Sequence, residues 1–127
     1  KRTVSITTVG ADGAAVGSAT VKAPFDCELY SVKADYHASA PSGSDLSIST
    51  PDAGSAAGIV LAQANSATDK RYHPRVPADK AADGTAVTDG HLPVLIQRGS
   101  TITCSLTGSN ALTNAVVLTL MFKTIGD

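Results

Sequence analysis

Between Asn65 and Arg75 the chain reads Asn-Ser-Ala-Thr-Asp-Lys-Arg-Tyr-His-Pro-Arg, gathering residue types that are scarce elsewhere in it. Lys70, Arg71 and Arg75 place three permanent positive charges within six residues, with Tyr72, His73 and Pro74 among them. Like charges this close repel one another unless something negative lies nearby. Arg and Tyr are also the types enriched at the tight-binding centres of protein interfaces. The chemistry such a segment can do is recognition, with guanidinium groups donating paired hydrogen bonds to carboxylate or carbonyl oxygens of a partner. Lys70, Arg71, Tyr72 and Arg75 are therefore the candidate partner-contact residues, facing another protein or a neighbouring subunit. The competing reading is a solvated loop in which Arg71 or Arg75 stacks on Tyr72 and pairs with Asp69.

Other chemistries find less support. His37, His73 and His91 lie far apart, and none has a His, Cys or acidic partner at metal-ligand spacing, so exposed strand-end histidines are expected and no metal. The Gly10-Ala11-Asp12-Gly13 cluster leads into a strand-like stretch rather than a helix, so it is not a phosphate loop, and no Gly-x-Ser-x-Gly elbow occurs. Cys27 and Cys104 carry no local catalytic motif and read as small buried free thiols. Asp26, Glu28, Asp35 and Asp45 are scattered acids. The expectation is a protein without enzymatic activity or cofactor. Ten basic against eleven acidic residues leave a net charge of −1, which does not suit a duplex nucleic-acid partner. No apolar run approaches the length that spans a bilayer and no signal-peptide pattern is present, so a soluble protein without a membrane partner is expected.

The elements that must carry the basic segment read as strands. Aromatics make up only 4% of the chain, so the core has to come from Val, Ile, Leu and Ala, as in a thin sandwich. Thr3 to Val9 alternates, with Val4 and Ile6 on one side, and Gly10 to Gly13 forms a turn. Ala14 to Ala23 continues as a small-residue strand up to Pro24. Glu28 to Ala38 is the longest run, with Tyr30, Val32, Ala34 and Tyr36 on one face and Leu29, Ser31, Lys33 and Asp35 on a largely solvated one. Asp45 to Thr50 points Leu46 and Ile48 together, Pro51 to Gly58 reads as a loop, and Ile59 to Ala64 is a short apolar strand. Pro74 lacks an amide hydrogen and extends His73, which argues against a central strand there. Val76 to Gly90 is the least regular part, a long connection or one brief strand at Thr85 to Val87, and Ala78 to Ala82 could form at most one helical turn.

Leu92 to Gln97 reads as a strand that tolerates Pro93 only at its start or on an edge. Ser100 to Thr107 turns Ile102, Cys104 and Leu106 inward, Gly108 to Asn110 reads as a turn, and Ala115 to Thr124 puts Val116, Leu118, Leu120 and Phe122 on one face. Short strands with Gly and Pro punctuation indicate a single-domain, all-β antiparallel sandwich of about eight strands. The long central connections favour a jelly roll, and the absence of Trp excludes the antibody-type Cys…Trp…Cys signature.

Three motifs in order along the chain resemble those of the tailed-phage capsid decoration, or cement, proteins. They are Val32-Lys33-Ala34-Asp35-Tyr36, Ser44-Asp45-Leu46-Ser47-Ile48, and Thr68-Asp69-Lys70-Arg71-Tyr72-His73-Pro74-Arg75, followed by a Thr-x-Thr strand at Ile102 and an apolar final strand. Cys27 departs from the pattern, which has a glycine ahead of the long strand. The resemblance implies a jelly-roll-like homotrimer on the outside of the virion capsid, assembled in the host cytoplasm and contacting the major capsid protein. The alternatives are a receptor- or glycan-binding sandwich on a virion or cell surface, and a structural adhesin or surface-layer domain. Sugar platforms usually want exposed aromatics, and this chain has three Tyr and no Trp.

Overall fold

The computed structural model describes residues 1–51, 58–80 and 86–125, with 76–80 and 86–92 described by their backbone. Its strands begin with β1 (Arg2–Ile6), β2 (Ala15–Lys22), β3 (Cys27–Tyr36) and β4 (Asp45–Ser49). They continue with β5 (Ile59–Gln63), β6 (Lys70–Tyr72), β7 (Arg75–Lys80) and β8 (Ala86–Pro93). The last three are β9 (Leu95–Ile96), β10 (Thr101–Ser109) and β11 (Val116–Thr124). No helix occurs among the described residues.

The strands form two antiparallel sheets packed as a sandwich. The first runs β1-β11-β3-β6, with β9 also on β3, and the second runs β2-β10-β4-β5. Up to β6 the chain passes from one sheet to the other at every step except β4 to β5, and β10 and β11 then return to the middles of the second and first sheets. Nine strands make the sandwich, one more than the eight expected, and without the short β9 the order is that of a jelly roll. β7 and β8 pair with each other and with neither sheet.

The alternation is obeyed where the strands face the core. Leu46 and Ile48 of β4, Ile102, Cys104 and Leu106 of β10, and Val116, Leu118 and Leu120 of β11 are all buried. Phe122 packs partly buried against them. Gly10 and Gly13 adopt positive φ in the turn that leads to β2, as a tight turn requires. Cys27 is not among the residues with positive φ, so the entry to β3 does not need the glycine expected there.

Several sequence-based expectations are corrected. Leu29 is fully buried and Tyr30 is 42% exposed, the reverse of their expected faces. The cause is a bulge: Met121 pairs with Ser31 and Phe122 with Leu29, so Tyr30 is the extra residue and the face switches there. Within the expected irregular stretch Val76 to Gly90, Arg75–Lys80 and Ala86–Pro93 pair as antiparallel strands, so Ala78 lies in a strand rather than a helical turn, while residues 81–85 lie outside the described residues. Leu92 to Gln97 is two strands, because Pro93 ends β8 and β9 starts at Leu95. Finally, β10 runs on through Gly108 to Ser109, where the register against β2 shifts and Gly108 takes a φ of 63°. A bulge thus stands where a turn was expected. Thr3 to Val9 is a strand only to Ile6, with Val9 held by an isolated bridge to Val16. Residues 52–57 of the expected loop at Pro51 to Gly58 lie outside the described residues.

Cys27 and Cys104 are free and buried. Burial pushes the Cys104 thiol up to about 11, and it raises Cys27 as well, with the Asp26 carboxylate adding to the effect. An acid whose folded pKa is raised is held protonated by the fold. Its contribution is therefore intact below the ordinary thiol value of 9.0 and is lost as pH climbs towards about 11. Denaturant melts should show constant stability from neutral pH to about 9 and a decline above it. Alkylation in the native state at neutral pH should leave both thiols unmodified, and unfolding should expose both.

Candidate docking interface

β6 is the outer edge of the first sheet and carries the basic segment. Its register against β3 sets Tyr72 opposite Val32, Arg71 opposite Lys33 and Lys70 opposite Ala34. Because Val32 is fully buried, Tyr72 faces inward, where it packs half-buried against the core. Arg71 points outward with Lys33, and both are exposed. Like charges directly opposite across a strand pair are destabilising. Lys33 is relieved by Asp35 at 3.5 Å, whereas Arg71 has no carboxylate partner among the described residues. Arg71 Nη1 donates instead to the buried Ser31 Oγ at 3.2 Å, which fixes its stem and leaves other guanidinium donors for a partner.

The remaining residues divide by role. Lys70 is exposed on the edge, its Nζ 5.7 Å from the centre of the Tyr72 ring. Arg75 is half-buried and donates from Nη1 to the Pro74 carbonyl at 2.6 Å, shaping the break between β6 and β7. Pro74 itself is buried at that break, consistent with the sequence argument that no central strand passes through it. His73 is exposed, and its ring meets Tyr30 edge-on at 5.8 Å. The pairing of Asp69 with an arginine does not form. Asp69 Oδ1 accepts from the Tyr36 backbone N at 2.7 Å, and the cation over Tyr72 is Lys70.

Beneath the edge, the Tyr36 and Tyr72 hydroxyls are both buried without a hydrogen-bond partner. They face each other closely enough that Tyr72 helps to raise the Tyr36 pKa while Tyr36 lowers that of Tyr72. Burial is the main cause that raises Tyr36, with Tyr72 and Asp69 adding to it, and burial also raises Tyr72. Both phenols therefore stay neutral at physiological pH, and the charge of the segment comes from its lysine and arginines. Tyr72→Phe removes an unpartnered buried hydroxyl and should leave stability unchanged or raise it by up to about 1 kcal/mol. Tyr72→Ala, which opens a gap at the edge of the core, should cost about 2 kcal/mol. Urea melts of the two variants check this, and a loss for the Phe variant as large as for Ala would show that the hydroxyl is bonded.

Sequence reasoning missed Lys33 and Ser31 as parts of this interface. Both were legible as residues of a strand, but only the cross-strand register brings them to Arg71. Among the described residues no group of three or more His, Cys, Asp or Glu is placed to hold a metal ion. His37 is exposed just past the end of β3, and the His91 side chain lies outside the described residues. No helix among the described residues is long and apolar enough to cross a membrane. Comparison with protein-family models, with curated proteins and with solved structures found no match.

Proposed function

We propose that this chain is a capsid decoration protein, a homotrimeric jelly roll that binds the outside of a tailed-phage head and strengthens it. The observation that carries the reading is Arg71, an exposed cation on an edge strand, set opposite Lys33 and with no carboxylate partner among the described residues. Such a group is stabilised by an acidic or carbonyl-rich partner surface. Lys70 lies beside it on the same edge, while Tyr72 and Arg75 support the segment from within. The partner is the major capsid protein. Binding only the mature lattice stabilises that lattice by mass action, and several copies bridging subunits turn weak contacts into high avidity. A glycan-binding head would want an open aromatic face. Tyr30, the exposed tyrosine, instead carries the Lys123 ammonium 5.2 Å from its ring centre.

The test is co-sedimentation of the purified protein with mature heads and with unexpanded precursor shells of candidate tailed phages. Saturable binding to a mature head, with a raised melting temperature of that head, is the expected result. Absence of binding to every mature shell at tens of micromolar would overturn the reading.

A further inference from the structure

β6 turns the backbone of Arg71, as well as its side chain, to the open edge of the first sheet. Residues along an antiparallel strand alternate between those that exchange main-chain bonds with one neighbour and those that face the other way. Tyr36 N donates to Asp69 Oδ1, on the β6 side of β3, and His37 N donates to the Ala115 carbonyl, on the β11 side. Counting back in twos from Tyr36, Ala34 and Val32 also face β6, where they pair with Lys70 and Tyr72. Arg71 lies between those two and so directs its N–H and C=O away from β3. β6 ends the order of its sheet, and neither group finds a partner among the described residues.

Three unused groups therefore converge at one residue: an amide, a carbonyl and the guanidinium donors that Ser31 leaves free. An extended segment laid along β6 satisfies the first two as an added strand, and a carboxylate opposite Arg71 takes the third. That carboxylate would stand in line with Arg71 and Lys33, a cross-strand row that holds two cations. The flanking residues of the segment would turn to the other face, beside the half-buried Tyr72, a place for apolar side chains. Pro74 has no amide hydrogen and closes the ladder two residues beyond Tyr72, so the pairing is short. We propose that β6 takes an acidic extended segment of the partner, carboxylates alternating with apolar residues, as a further antiparallel strand of the first sheet. The inference rests on the docking edge of the proposed function and states what the partner brings to it.

Charged side chains on an edge strand ordinarily keep copies of a protein from pairing through it. Here the same charges choose the occupant. A second β6 laid on this edge would bring Lys70 and Arg71 against their own counterparts, whereas an acidic strand relieves both Arg71 and Lys33.

The probe is the blocked peptide acetyl-Thr-Glu-Val-Glu-Val-Glu-Thr-amide, titrated into the wild-type chain while exchange of the Arg71 amide is followed by NMR. The expected result is saturable binding that slows this exchange about tenfold or more. Methylating the three glutamate nitrogens keeps every charge but blocks the bonds to Arg71, and should abolish binding, as should Arg71→Glu. Failure to bind at millimolar peptide, equal binding of the methylated peptide, or unmoved Arg71 exchange at saturation each overturns the added strand. Exchange that slows with protein concentration alone would put a second copy on the edge and overturn it as well. Mature heads are read separately. If the peptide arm fails while Arg71→Ala still loses the heads, the docking edge stands and the strand falls. If the peptide pairs with β6 and no mature head is bound, the decoration reading falls and the strand stands.

Discussion

Arg71→Ala is expected to weaken affinity for mature heads about thirtyfold while leaving the free protein's melting temperature nearly unchanged. The first part follows from the cost of truncating a desolvated interface arginine, about 2 kcal/mol or more, and each 1.4 kcal/mol is about a factor of ten. The second follows from two small opposing effects in the free protein. Removing Arg71 relieves its repulsion with Lys33, directly opposite on β3, but it also deprives the buried Ser31 Oγ of its donor. The net change should stay within about 0.5 kcal/mol. Arg71→Lys should recover binding only in part, because an ammonium cannot reproduce the paired donors of a guanidinium. Arg71→Glu separates stability from docking most sharply. Facing Lys33, it should hold or slightly raise the melting temperature while abolishing occupancy. Melting scans of the free protein paired with co-sedimentation check all three variants. Unchanged occupancy for Arg71→Ala and Arg71→Glu would return the segment to an ordinary solvated edge.

Gly17→Ala should lower the melting temperature by roughly 10 °C. A Cβ at Gly17 would collide with the Thr7 carbonyl oxygen and press on the Ile6 side chain at 3.0 Å. Ile6 is fully buried, and Thr7 belongs to the stretch that leaves β1, so neither neighbour can swing aside as a flexible surface side chain would. Overpacking against rigid neighbours typically costs up to about 3 kcal/mol. This contact is where the two sheets are joined at the start of the chain, so the strain would be felt across both. Gly43→Ala is the matched control. Nothing lies within 4 Å of its added methyl group and its φ is not positive, so it should be neutral or slightly stabilising. Thermal melts of the pair decide it, and equal melting temperatures would show that β2 can withdraw from Thr7 without loss.

Neither effect is legible in the residues concerned. Gly17 is one small residue in a strand of small residues, and Arg71 is one cation among three; what distinguishes each is a neighbour more than nine residues away along the chain. The same holds for the hairpin at Arg75–Pro93. Strand reading depends on alternation imposed by a core, and a hairpin that pairs with neither sheet is under no such constraint.

What the sequence by itself determined is the class of the fold and the inward face of its most regular strands. Ile102, Cys104 and Leu106, like Val116, Leu118 and Leu120, alternate with residues that can face solvent or the sandwich rim, and one buried face per strand is enough to specify them. The chemistry of the basic segment was legible for the same reason, since its charge and its proline are local properties. Tertiary structure alone decided which way each side chain of that segment points. Tyr72 turns inward because its partner Val32 does, and Arg71 meets Lys33 because the register allows no other arrangement. Tyr30 turns outward because one extra residue in β3 opposes the shorter run of β11. A side-chain period of two makes every face assignment depend on register, and register is a relation between strands distant in sequence, which no single strand encodes.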